Sequence, residues 1–321
     1  MTFKNIKSTA LLLFITQLSF AEDITPKIGL LLQTWAFNDT TLEAKANFRI
    51  RRAEIKLGGK TSPELRYFVS MDPAKSLKEG AVSKTNDNKI LQDLGIEYSL
   101  TPEFKITAGQ FKAPNTVESF TSSAELLLAE RAIQSRSYGD NRETGLMLSF
   151  ENEKLKTKLM LSNGGKTNTN DDNSAKDLHA RIDYMPTENI SLGTFATYVD
   201  TRQSKAYRNG ANFKFSWNSF TLAAEGITGK EADIPFTGYY ADLFYDYKNT
   251  FCPVLRYEYL DANNLVSHIY NIGLSYNLLE SKAKLQLNYA FLDNATTDMG
   301  SPKTLSASKG SLVIANFQLS F

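Results

Sequence analysis

The chain has 321 residues, 42% hydrophobic and 22% charged, with 36 basic residues against 35 acidic ones. A mean hydropathy of −0.32, with no apolar run of about 18–20 residues past the N-terminus, excludes a helical membrane bundle. The apolar fraction is too high for a disordered chain. One cysteine, Cys252, excludes an internal disulfide framework, and two histidines leave little for a His-rich metal centre.

Lys4 and Lys7 precede the apolar stretch 10–15, and Ser19-Phe20-Ala21 follows it. That order of charge, short apolar run and small-residue site is a secretory signal peptide. Residues 1–21 are therefore expected to be cleaved, leaving a single domain over 22–321. Two lysines and no acidic residue leave with it, so 34 basic residues face 35 acidic ones in the mature chain. A nucleic-acid binder usually carries a basic excess, and none is expected as a partner here.

From there the chain reads as strands. The first two are predicted near 26–36 and 47–58. In the second, the apolar set shifts from Phe48 and Ile50 to Ala53, Ile55 and Leu57. Arg51 and Arg52 are adjacent and cannot share one face of a regular strand, so a β-bulge is expected there. The third strand, 63–72, places Arg66 with Glu64, Ser70 and Asp72, opposite Leu65, Tyr67, Val69 and Met71. Strands near 89–99 and 103–112 follow, and then the longest connection, 113–141. Its 29 residues exceed ordinary loop length, which points to a function.

Eleven further strands are predicted near 142–151, 154–162, 176–185, 188–199, 206–217, 219–229, 236–248, 250–260, 267–278, 281–293 and 310–321. Alternation is plain in many of them. Leu178, Ala180, Ile182 and Tyr184 oppose His179, Arg181 and Asp183; Ala283, Leu285, Leu287, Tyr289 and Phe291 oppose Lys282, Lys284, Gln286 and Asn288. Successive strand side chains point to opposite faces, so this is the pattern of a half-buried sheet. In the last strand, Leu312 and Ile314 sit on the otherwise polar parity.

Tight and roomy connections alternate along the chain. Three of the tight ones carry a Pro followed closely by Glu, at 63–64, 102–103 and 186–188, as suits a turn corner. The roomy ones are 37–46, 73–88, 113–141, 163–175, 200–205, 230–235, 261–266 and 294–309. Sixteen strands, an even number, with short turns at one end and longer loops at the other predict an all-β, antiparallel transmembrane barrel. In hydrocarbon a sheet persists only when closed, with apolar side chains toward lipid and polar ones toward a water-filled lumen. A soluble β-sandwich is the competing architecture, but sixteen strands require two such domains. The terminal Phe321 and the strand-end aromatics Trp35, Trp217, Tyr247, Tyr259, Tyr276 and Phe291, read as interfacial girdles, favour the barrel.

Several blocks resemble the phosphate-selective porin O and P family. Phe48-Arg49-Ile50-Arg51-Arg52-Ala53-Glu54-Ile55 with Gly58-Gly59 is similar to its opening signature. Gly109-Gln110-Phe111-Lys112-Ala113-Pro114 with Glu118 and Ser122 is similar to a second block. Glu130-Arg131, Asn141-Arg142-Glu143-Thr144-Gly145 and Ser162-Asn163-Gly164-Gly165 continue in order, all within about 26–200. The resemblance implies a sixteen-stranded outer-membrane porin, usually trimeric, whose long third loop, here 113–141, folds inward to narrow the pore. Residues 124–131 are expected to form a short helical turn on the wall.

Selectivity in such a pore depends on its radius and on charged rings lining it. The candidate pore and constriction cations are Arg51, Arg52, Arg66, Lys112, Arg131, Arg136 and Arg142. Arginine's fork suits a phosphate ion. Glu118, Glu125, Glu130, Asp140 and Glu143 dilute the positive field, so the expectation is a passive porin for small hydrophilic solutes, leaning to anions. A surface adhesin or structural barrel, touching partners through 163–175 and 294–309, is the alternative. Asn170-Asp171-Asp172-Asn173 lacks a full calcium loop, His179 reads as a hydrogen-bonding wall residue, and Ser267-His268 shows no third partner or nucleophile motif. No enzymatic activity, cofactor or metal is expected.

Overall fold

Why the two parities separate is plain in a computed structural model. It describes residues 26–42, 45–77, 89–165, 167–171, 173–200, 205–231, 233–298 and 301–321; the segment read as a signal peptide lies outside them. The strands are β1 (Lys27–Asp39), β2 (Ala46–Lys60), β3 (Leu65–Met71), β4 (Leu91–Ser99) and β5 (Phe104–Lys112). Next come β6 (Arg142–Glu151), β7 (Leu155–Ser162), β8 (Asp177–Thr187), β9 (Ile190–Asp200), β10 (Lys205–Trp217) and β11 (Phe220–Glu231). The last are β12 (Ile234–Tyr245), β13 (Phe251–Ala262), β14 (Leu265–Leu278), β15 (Ala283–Asp298) and β16 (Ser301–Ser320). Each pairs antiparallel with its chain neighbours, and β1 pairs with β16, so the sheet closes into a barrel.

The apolar parity faces out. Leu222, Leu243, Leu255, Ile272 and Tyr289 are register partners across β11 to β15, and all five are exposed. The opposite parity carries Arg256 and Glu258 on β13, Gln286 and Asn288 on β15, and Asn316 and Gln318 on β16, all buried. A polar interior inside an apolar belt inverts the order of a water-soluble protein and matches a barrel in lipid.

The bulge expected at Arg51-Arg52 is present. Gln33 pairs with Arg52 and Thr34 with Ile50, so Arg51 is skipped in the ladder. The extra residue lets both arginines lie buried. Gly109, with φ of 138°, pairs with Gly95 on one side and Gly145 on the other. A Cβ at Gly109 would stand 2.1 Å from the Leu94 carbonyl oxygen, so only glycine fits this approach of backbones.

Three expectations are corrected. Trp35 is not a girdle residue: it is 1% exposed and packs with Phe37, Ile269, Leu292, Leu312 and Ile314 in an apolar cluster on the inner face. Trp217, Tyr247, Tyr276 and Phe291 do lie exposed. The roomy connections at 230–235, 261–266 and 294–309 contract because their strands run further than the alternation suggested. Asn263 and Asn264, with φ of 55° and 61°, turn the chain between β13 and β14, since asparagine tolerates the left-handed region that a two-residue hairpin needs. The segment 124–131 forms turns and bends, and the helical turns lie at 117–120 and 135–139 instead.

Leu255 tests the outer face. Leu255→Arg is expected to lower folding stability in lipid vesicles by about 2–4 kcal/mol, the cost of a cation near mid-bilayer. Urea titration of vesicle-folded protein measures it, and an unchanged midpoint would remove Leu255 from lipid.

Candidate pore and its inner loop

The segment 113–141 lies against the inner parity of the wall, held by its own backbone. The Lys284 ammonium and the Gln318 amide donate to the Ala124 carbonyl at 2.7 and 3.0 Å. Gln286 donates to the carbonyls of Leu126 and Leu127, both at 3.0 Å, and Ser275 to that of Leu127 at 2.8 Å. These bonds give the irregular backbone the partners that a helix would otherwise supply. In return, Ala129 N–H donates to Asn288 at 2.9 Å and Ile133 N–H to Glu258 at 2.7 Å. Ala129 and Ile133 also enter the apolar cluster of Trp35, Leu312 and Ile314. The inner-face apolar exceptions of the sequence are thus the seat of the loop. Burying Ile133, at 0% exposure, contributes roughly 1.5–3 kcal/mol.

Ion pairs fix the loop further. Glu130 meets Arg51 (Nε to Oε2, 2.9 Å), Arg136 (2.5 Å) and Arg52 (3.6 Å). Burial disfavours its charged form, but Arg136, Arg51 and Arg52 prevail and hold the carboxyl well below the usual carboxylate range. Glu118 receives Arg256 at 2.6 Å, and Arg256 also bridges Asp242 at 2.6 Å. Arg52 donates to Gln33 at 2.6 Å, and Gln33 donates to the Ser123 carbonyl at 3.2 Å.

The seven candidate cations divide into two groups. Arg51, Arg52 and Arg136 converge on Glu130. Arg131 is 3% exposed and donates to the carbonyls of Glu118 and Thr121 at 2.6 and 2.7 Å. Arg142 forks onto Asp93 at 2.9 and 3.4 Å. These five arginines brace the loop or its base. Arg66 and Lys112 instead line a cavity of about 840 Å³ beside Lys27, Lys56, Lys60 and Phe120. Arg66 is half exposed, 3.7 Å from Glu97, with its guanidinium over Phe68. Lys112 donates to the Ser119 carbonyl and lies 3.8 Å from Asp140. The sequence reading missed Lys56 and Lys60, although their spacing after the bulge puts them on one parity with Arg52.

Other motif residues are anchors too. Gln110 receives the Asn168 N–H at 2.7 Å, tying the connection 163–176 to β5. His268 meets Tyr257 Oη at 2.8 Å on the outer parity, whereas its neighbour Ser267 is buried. The two point to opposite faces and form no dyad.

A closed barrel with an apolar outside, a polar inside and a basic cavity is an outer-membrane channel of the porin class. The model of the phosphate-selective porin O and P family matches residues 32–216, more than half of the chain, and the chain belongs to that family. No curated protein matches it. Among solved structures it is similar to an anion-selective porin from Comamonas acidovorans (TM-score 0.68, 11% identity, 92% of this chain and 99% of that one). It is similar also to the trimer form of OmpT from Vibrio cholerae (TM-score 0.67, 10% identity, 92% and 99%). OmpF of Salmonella typhi, in complex with daunomycin, gives a TM-score of 0.65 at 12% identity over 93% and 98%. At these identities the likeness is one of fold. The protein is a bacterial outer-membrane porin.

Glu130→Gln keeps the shape of the clamp and leaves Arg51, Arg52 and Arg136 facing a neutral amide. Breaking a buried pair in this way costs about 3–5 kcal/mol, so the loop should loosen. Single-channel recordings should show higher and noisier conductance, and trypsin should cut at Arg131 or Arg136. Wild-type noise together with wild-type protease resistance would count against the clamp.

Proposed function

We propose that this porin passes small hydrophilic solutes down their gradients with a preference for anions, and that segment 113–141 narrows its lumen. The observation that carries the reading is the charge of the 840 Å³ cavity. Lys27, Lys56, Lys60, Arg66 and Lys112 line it against Asp93 and Glu97 among its acidic side chains. A water-filled passage walled by low-dielectric protein focuses such a field and raises the local concentration of the opposite ion. The loop supports the narrowing: its contacts run from Arg181 on β8 through Glu225, Glu258 and Gln286 to Gln33 on β1 and Arg51 on β2, so it spans much of the inner wall.

The proposal is for anions in general rather than phosphate. Four of the five cavity cations are lysines, which act as point charges. The arginines whose forks suit phosphate are engaged with Glu130, Asp93 and loop carbonyls. We further propose that the mature protein begins after residue 21 and assembles as a homotrimer in outer-membrane lipid. The order of charged, apolar and small residues at the N-terminus supports the first. The trimer form of OmpT, a barrel of the same fold, supports the second.

Planar bilayers test the selectivity. Under a potassium chloride gradient the wild-type reversal potential should have the sign of chloride preference. The double substitution Lys60→Glu with Arg66→Glu should carry it toward or past zero with conductance retained. A wild-type reversal potential in that variant would take the cavity out of the selectivity path. Absence of any conductance in the wild type would favour the adhesin reading.

A further inference from the structure

At the long-loop end of β6, β7 and β8, three electron-pair donors converge on the inner face. Glu143, Asp177 and His179 are buried at 4%, 1% and 3% exposure. One ligand atom from each lies within 4.8 Å of the other two. The ladder builds the cluster: Ser162 pairs with Asp177 across β7 and β8, and His179 with Thr197 across β8 and β9.

The hydrogen bonds accommodate a neutral His179 whose Nε2 lone pair faces the carboxylates. Thr197 Oγ1 donates to Asn115 Oδ1 at 2.7 Å, so its lone pair is available to His179 Nδ1–H at 3.2 Å. With the proton on Nδ1, the neutral imidazole turns a lone pair at Nε2 toward Glu143 Oε2, 3.4 Å away. The Ser162 hydroxyl, 3.1 Å from Nε2, gives its one proton to Glu143. Asp177 Oδ1 accepts the Asp200 N–H at 2.9 Å, while Asp177 Oδ2 is buried with no hydrogen-bond partner among the described residues. Arg208, a cation of the same wall, is directed to Glu231 at 3.2 Å and to the Tyr138 carbonyl at 3.1 Å. Two carboxylates and an imidazole lone pair are thus buried together, and such a set calls for a positive centre.

We propose that Glu143, Asp177 and His179 form a binding site for one divalent transition-metal ion of the zinc class. Ligand atoms bound at about 2.0–2.1 Å in a tetrahedron lie about 3.3–3.4 Å apart, the separation of His179 Nε2 from Glu143 Oε2. The chain through Thr197 to Asn115 supplies the outer hydrogen bond that orients a metal-bound imidazole. Asn115 belongs to the inner loop, and its carbonyl also receives Arg181. The ion therefore joins the ends of β6 and β8 to the base of that loop, and it stiffens the extracellular mouth of the pore.

Zinc itself is the probe, on full-length protein folded in detergent, stripped with chelator and free of any affinity tag. Equilibrium dialysis should give one zinc per chain. X-ray absorption should show nitrogen and oxygen neighbours with one imidazole. Asp177→Asn, which retains shape, and His179→Ala should each reduce affinity at least tenfold while keeping the detergent-folded mobility and ion conductance that report an intact barrel. Zinc should raise the thermal unfolding midpoint of the wild type and not of either variant. Stoichiometry well below one, or equal binding by Asp177→Asn, would overturn the site. His268→Ala should bind zinc as the wild type does; loss of binding there would place the ion on the outer face and equally overturn the assignment.

Discussion

Backbone pairing in a solvent that offers no hydrogen bonds governs this molecule. Each amide or carbonyl left unpaired in hydrocarbon costs several kcal/mol, so the sheet has to close. It does so where β1 meets the C-terminus: Leu30 N–H donates to the Phe321 carbonyl at 2.7 Å and Phe321 N–H to that of Leu30 at 3.1 Å. The same rule reaches the irregular backbone of 113–141. Amides at 117, 129, 132 and 133 find Glu225, Asn288, Glu118 and Glu258, and carbonyls at 124, 126 and 127 find Lys284, Gln318, Gln286 and Ser275. The inner wall is polar partly because the loop's backbone requires partners.

Two populations of cations follow. Arginines deep in the wall and loop meet carboxylates or several carbonyls at once, which a planar fork does better than an ammonium. The lysines around the cavity line it as single point charges. Sequence position alone does not separate the groups: Arg66 is on the cavity side, and Lys284 is on the bracing side. Lys112 belongs to both, lining the cavity while donating to the Ser119 carbonyl of the loop, so the division depends on the path of 113–141.

The strands were legible because period two is a local property and lipid enforces it along the outer face. The bulge was legible for the same reason: Arg51 and Arg52 break parity by one residue. Trp35, Phe37, Leu312 and Ile314 were informative in a way parity alone could not use. They violate the pattern because a second protein surface covers them, and which segment supplies it is a matter of tertiary structure. The length of hairpins such as 294–309 was illegible because beyond the lipid no solvent dictates alternation, and ladder bonds alone extend β15 and β16. The roles of Arg131 and Arg142 were illegible because their partners, the Glu118 carbonyl and Asp93, are distant in sequence or carry no side-chain signal.

The lumen is therefore asymmetric. From β8 round to the bulge of β2 the wall bonds the inner loop, while Lys56 and Lys60 of β2, Arg66 of β3 and Lys112 of β5 line the cavity. In this arrangement the buried clamps fix how far the loop stands from the basic wall, and the lysines and Arg66 fix the sign of the potential in the space between. The second effect is screened by salt, with a Debye length of about 8 Å at physiological ionic strength, whereas the buried Glu130 clamp is screened far less. On the proposed reading, size selection and charge selection rest on different residues, and raising the ionic strength weakens the second while leaving the first.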